Sequence, residues 1–170
     1  KPGDYVGAKI DGLMLHVSAS KVDGKAIEAG LPGGLPRLWD TERVYVMTDH
    51  HQPPQNELQA RRNKMARDMA ARLGVKYFHD AEPGIAHQMM PDYGYVRAGE
   101  LVVGNDSHTI AYGAINAGST GITRADMMYV LLFGELWFQV PATVKIVLEG
   151  RQPAYPIAKD IILSLAGIPP

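Results

Sequence analysis

Leu101-Val102-Val103-Gly104-Asn105-Asp106-Ser107-His108-Thr109 is an apolar run that stops at a glycine and opens onto an acid, a hydroxyl and an imidazole. Such a run reads as a short buried strand, which places the polar side chains after it at the carboxyl end of a sheet. In α/β proteins that end is where ligands bind. The segment therefore predicts a fold class and a place for chemistry together. Asp106 supplies an anion, Ser107 a hydroxyl and His108 a group that titrates near neutrality.

Outward from this stretch, strand-like and helix-like segments alternate. Tyr5 to Ile10 reads as a short strand, and Arg43 to Thr48 as a better one that runs into Asp49-His50-His51. Asn56 to Leu73 carries Leu58, Met65, Met69 and Leu73 among basic residues, an amphipathic helix stopped by Gly74. Val75 to Phe78 and Leu101 to Gly104 are further strands, and Arg124 to Phe138 is a helix with an apolar centre at Met127, Met128, Val130, Leu131 and Leu132. Thr143 to Leu148 alternates like a strand, and Ile157 to Leu165 is a last helix. Gly30 to Pro36 is a loop, and no repeat or low-complexity tract interrupts the chain. The repeated units predict α/β layers. The methionines on the helices are packing residues.

Composition narrows the function. The chain has 170 residues, 46% of them hydrophobic, enough for a real core. With 17 Lys and Arg against 18 Asp and Glu, its charge of -1 does not suit a polyanion, so nucleic acid is not an expected partner. No apolar run reaches the roughly 20 residues that cross a bilayer, and no leader pattern opens the chain, so no membrane partner and a cytoplasmic setting are expected. Cysteine is absent, which removes disulfides and thiolate chemistry belonging to these residues.

Three histidine-bearing loops follow strand-like runs: Asp49-His50-His51, then Gly84-Ile85-Ala86-His87-Gln88, then Asp106-Ser107-His108. If they converge on one face, two chemistries are open. One is metal binding by imidazole and carboxylate, and the other is proton transfer by carboxylate-polarised imidazoles. The spacing matches no stereotyped zinc signature.

Taken in order, several blocks resemble the aconitase and isopropylmalate dehydratase superfamily. They are Lys1-Pro2-Gly3-Asp4, Asp49-His50, Gly84 to Gln88, Gly104 to Thr109, Gly118 to Asp126, Leu136 to Pro141 and Ala158 to Leu163. Ser107 to Ala114 is most similar to the form found in isopropylmalate dehydratase large subunits and homoaconitase-like proteins. The resemblance implies a layered α/β/α fold with a parallel-rich sheet, incomplete relative to the family, in which residues 1–170 are the N-terminal part of a large subunit with no internal boundary assigned. It also implies a hydro-lyase that moves water out of and back into a hydroxy di- or tricarboxylic acid, most closely 3-isopropylmalate/2-isopropylmalate isomerisation in leucine biosynthesis. In the family a four-iron, four-sulfur (4Fe-4S) cluster binds the substrate hydroxyl as a Lewis acid. Its cysteine ligands are absent here, so the cluster belongs to the full-length protein, and the chain alone is expected to be inactive. The remainder of the large subunit and a small swivelling subunit or domain are the implied partners.

By correspondence with the family's blocks, Asp49, His50, His87, Asp106 and His108 are the catalytic positions. Ser107, His16, Gln88 and Arg124 are substrate-binding positions, and no metal ligand is assigned. An Asp that meets a His fixes the imidazole tautomer, and an Arg suits a substrate carboxylate. His51 has no transferable role, and His79 reads as a surface residue. The chain departs from the pattern at Asn105, where Ala or Thr commonly precedes the Asp, and at Thr123-Arg124-Ala125-Asp126. The alternative is a cluster-free binding or scaffold protein that keeps the fold without the chemistry. A His/Asp metal hydrolase is a third reading.

Overall fold

The computed structural model describes residues 1–16, 37–50, 52–80, 84–151 and 158–167. The expectations for Gly30 to Pro36, His51 and Ile157 lie outside them.

A five-stranded, wholly parallel sheet organises the chain. It contains β2 (Gly12–His16), β3 (Val44–Met47), β4 (Tyr77–His79), β5 (Leu101–Gly104) and β6 (Gly118–Gly121) in the order β4-β3-β2-β5-β6. β1 (Tyr5–Lys9) stands apart and pairs antiparallel with β7 (Glu135–Gln139). From β2 the chain builds outward through β3 and β4, then returns to the other side of β2 to place β5 and β6. The order therefore reverses between β2 and β5, which leaves a crevice at their carboxyl ends.

Side-chain alternation sorts the core into two layers. Leu13, Leu15, Val44, Val46 and Val103 pack with α1 (Glu57–Leu73) and α3 (Arg124–Phe133), through Ala66, Met69 and Leu73 of the first and Met127, Val130 and Leu131 of the second. The intervening positions Met14, Tyr45, Met47 and Val102 face the opposite layer. They meet Met89 and Met90 of α2 (Ala86–Asp92) and Tyr112 of a 3-10 helix (Ser107–Ile115). The period of two along each strand thus yields the α/β/α sandwich that the resemblance implies.

Local signals account for the helix ends. Asn56 caps α1 by accepting from the Gln59 N–H, and Gly74 ends it in the left-handed region at φ +67°. Thr123 and Asp126 form a reciprocal capping box at the start of α3.

Several expectations need correction. The helix read over Arg124 to Phe138 ends at Phe133, because Gly134 takes φ +66° and the Trp39 indole lies against it where a Cβ would be. The apolar residues beyond it form β7 instead. Thr143 to Leu148 is exposed, forms no strand and pairs with neither sheet among the described residues, since alternation alone supplies no partner edge. Leu58 and Met65 of α1 are exposed and lie off the packed stripe of Ala66, Met69 and Leu73. His79 is half-buried rather than a surface residue, donating or accepting at the Tyr95 hydroxyl (3.0 Å) and stacking on Tyr93. No helix among the described residues is long and apolar enough to cross a membrane.

Candidate active site

The crevice between β2 and β5 gathers the histidines. His16 is the last residue of β2, Asp49 and His50 follow β3, His87 lies in the first turn of α2, and Asp106 to His108 follow β5. Each arrives because a strand ends, or a short helix begins, at the same edge of the sheet.

Six of these side chains form two groups of one design, in which a carboxylate is shared between a less exposed and a more exposed imidazole. In the first, Asp49 Oδ1 meets Nε2 of the fully buried His16 and lies 3.4 Å from Nδ1 of the half-exposed His50. The other oxygen, Oδ2, accepts the Ala86 N–H at 2.7 Å. That bond caps α2 from outside, because its own N-cap, Ile85, has no side chain able to do so. The His16 and His50 rings meet edge to face, with centroids 3.7 Å apart. His16 Nδ1 is buried with no hydrogen-bond partner among the described residues.

In the second group, Asp106 Oδ1 lies 3.1 Å from His87 Nε2 and 3.2 Å from His108 Nδ1, and accepts the His108 N–H at 2.8 Å. The His87 side chain is 14% exposed and that of His108 is 81% exposed, so one ring orients and the other meets solvent. His87 Nδ1 is 3.1 Å from the Tyr112 hydroxyl. An ionised Asp106 can only accept, so His87 carries its proton on Nε2 and its Nδ1 accepts the Tyr112 O–H. Ser107 Oγ stands 3.5 Å from His108 Nδ1, at the limit of a hydrogen bond.

Electrostatics follow from these partners. Burial alone would raise the Asp49 carboxyl, but the bonds from His16 and the Ala86 N–H outweigh it and hold the group well below the usual carboxylate range. Burial opposes ionisation of Asp106 too, and the His108 N–H with the two rings brings it down to about 2. For His87 burial dominates and lowers its pKa despite the neighbouring Asp106. Burial, with Asp106 and Asp49 nearby, pushes the Tyr112 phenol up.

All three shifts of the Asp and His groups act with the same sign on stability. The depressed carboxyls stabilise the fold fully above about pH 4 and cease to do so as pH falls through their folded values, which for Asp106 means from about 4 to about 2. The lowered His87 adds stability that is full above about pH 6.5 and is lost as pH falls below it through its folded value. Thermal melts from pH 8 to pH 3 are therefore expected to show a first loss beginning near pH 6.5 that His87→Gln removes, and a steeper second loss near pH 4 that it leaves in place.

Two further predicted residues are not drawn into the two groups. Gln88 donates to Asp92 along its own helix at 2.9 Å, and Arg124 stands exposed at the start of α3. Tyr112 and Asn105 were missed as site residues. The signal for Tyr112 is a bulky aromatic set between Ala111 and Gly113 in a run of small residues.

The donor atoms of His16, His50 and Asp106 lie within 4.8 Å of one another, as do those of His87, Asp106 and His108, so either trio has the reach to hold a cation. An iron-sulfur cluster is a different matter. Its ligands are thiolates, the donors here are imidazole and carboxylate, and the sequence holds no cysteine. These residues do not fit the role of cluster ligands.

A parallel sheet whose order reverses beside two groups of carboxylate-paired imidazoles makes this an α/β domain with a candidate site at its switch point, and the chain belongs to the aconitase family: the model described as "Aconitase family (aconitate hydratase)" matches residues 35–169. Within the family it is similar to proteins named 3-isopropylmalate dehydratase large subunit. The one from Methanopyrus kandleri is 36% identical over 97% of this chain and 39% of its own length. A probable one from Methanothermobacter thermautotrophicus is 39% identical over 97% of this chain and 39% of its own length. A probable methanogen homoaconitase large subunit from the same organism is 35% identical over 98% and 39% of the two chains. The chain thus spans about two-fifths of the length of these relatives.

Proposed function

We propose that the whole protein of which these residues form the N-terminal part is a hydro-lyase acting on a hydroxy di- or tricarboxylic acid, with 3-isopropylmalate as the substrate of choice. The observation that carries this reading is the doubled motif at the switch point, in which each of two ionised carboxylates holds one sheltered and one accessible imidazole. The names of the relatives support the substrate.

Dehydration delivers a proton to the departing hydroxyl while a base outside these residues takes the proton of the neighbouring carbon to form the double bond, and hydration takes a proton from water and returns one to carbon. The exposed ring of His108 is the group for the proton at oxygen, and His50 is its counterpart across the crevice. Asp106 aims His108 while His87 and Tyr112 hold Asp106 in place. His16 does the same for Asp49. Ser107 orients a water or substrate hydroxyl at the mouth. A 4Fe-4S cluster with cysteine ligands outside this chain, a small swivelling subunit and a cytoplasmic setting complete the proposal.

The test is anaerobic assay of the full-length protein with its small subunit, following the unsaturated acid formed from 3-isopropylmalate, homocitrate and citrate. His108→Ala is expected to lower kcat by about 100-fold or more with little change in melting temperature. A His108→Ala protein as fast as the parent would overturn its role. A full-length parent that takes up no iron-sulfur cluster and is inert toward all three acids would favour the cluster-free binding protein.

A further inference from the structure

β5 leaves the sheet one step before β2 does. The β2–β5 ladder runs through Gly12 beside Val102, Leu13 beside Val103 and Met14 beside Gly104, and its last main-chain bond brings the Asn105 N–H to the Met14 carbonyl at 3.4 Å. The next groups of β2 on that side are the N–H and carbonyl of His16, one alternation further on, and β5 has already turned away into the 3-10 helix. His16 is fully buried, so neither group can turn to water.

The Asn105 side chain fills the gap. Its Oδ1 accepts the His16 N–H at 2.7 Å and its Nδ2 donates to the His16 carbonyl at 3.0 Å. A primary amide carries the same donor and acceptor as a peptide, so it extends the ladder by one rung after the backbone has gone. Ala, one of the residues common at this place in the family's pattern, supplies neither bond.

We propose that Asn105 is a positioning residue, which pins the backbone of His16 to the loop that carries Asp106 and His108 and so holds the two carboxylate–imidazole groups in one register. Asn105 adjoins Asp106 in sequence and grips His16 in space, so it ties the second group's loop to the backbone of the first group's buried histidine by two bonds. The kinetic consequence rests on the hydro-lyase reading, whereas the anchoring does not.

The experiment compares the full-length parent with Asn105→Ala and Asn105→Asp. Residue-resolved amide exchange is the first readout. The His16 N–H is expected to exchange about tenfold faster in Asn105→Ala, while the Leu13 N–H, which bonds the Arg43 carbonyl, stays as slow as in the parent. Asn105→Asp retains an acceptor for that N–H and is expected to restore slow exchange. The second readout is kinetic: Asn105→Ala is expected to lower kcat roughly 10-fold to 100-fold with KM within about twofold, as befits a displaced group rather than a lost contact. Unchanged His16 exchange in Asn105→Ala overturns the anchoring. Faster exchange with an unchanged kcat overturns the positioning role. A parent without hydro-lyase activity whose His16 exchange still responds supports the anchoring and discards only the proposed reaction.

Discussion

Asp106→Asn is expected to lower kcat by about 1,000-fold while leaving the fold intact. Asp106 Oδ1 takes three hydrogen bonds, from the His108 N–H and from ring nitrogens of His87 and His108. The amide oxygen of Asn can take the Oδ1 place and accept the same three bonds, but it carries no negative charge. Both ring bonds then fall from charge-assisted to neutral strength, and the imidazolium that forms as His108 takes up a proton loses its counter-charge. The exposed imidazole is held less firmly and is less basic.

The substitution also separates chemistry from stability. Asp106 is the N-cap of the 3-10 helix, and Asn caps as well as Asp does. Its melting temperature at pH 7 should therefore stay near that of the parent, with a small decrease for the lost charged bonds. Steady-state assay and thermal melts of the full-length variant check both halves, and a loss of less than about 10-fold in kcat would show that the carboxylate does not serve the reaction.

The largest loss of stability is expected at the other end of the same stretch. In Gly104→Ala the new Cβ would stand 2.6 Å from Thr109 Oγ1, 2.9 Å from the Met14 carbonyl oxygen and 3.1 Å from Met14 Cε. The methionine end can bend, but the other two cannot yield cheaply. Thr109 Oγ1 is fully buried and donates to the Asp106 carbonyl at 2.6 Å, and the Met14 carbonyl closes the β2–β5 ladder. Overpacking of this kind costs about 3 kcal/mol, read as a lower denaturant midpoint at unchanged slope. Gly113→Ala is the control, since nothing lies within 4 Å of its added Cβ, and it should fall within about 0.5 kcal/mol of the parent. Equal stabilities for the two variants would refute the packing account of Gly104.

Much of this was readable before any coordinates. β3 and β5 are apolar and rich in valine, α1 has a capping Asn56 and a stopping Gly74, and each signal acts within a few residues of the structure it produces. Other elements gave no such sign. β2, buried on both faces, shows neither alternation nor β-branched residues in Gly-Leu-Met-Leu-His, and β6 is Gly-Ser-Thr-Gly. α2 has only seven residues and contains Pro91. The end of α3 was hidden because Leu136, Trp137 and Phe138 continue the apolar content past Gly134 while the backbone has already reversed.

The site divides in the same way. Local sequence determined which chemical groups are present and that they follow strands, so Asp49, His50, His87, Asp106 and His108 could be named, with His16 and Ser107 beside them. It also named Gln88 and Arg124, and the structure places Gln88 beside Asp92 and Arg124 at the start of α3. Only the tertiary structure decided that Asp49 serves His16 across 33 positions, that Asp106 serves His87 across 19, and that Asn105 reaches His16 across 89. Those pairings depend on strand order, which places β2 beside β5, and strand order is set by the burial of whole faces against α1, α3, α2 and the 3-10 helix. A hydrogen bond acts over about 3 Å, so the partner of a side chain is whatever the packed sheet brings within that distance, however far away it lies in the chain.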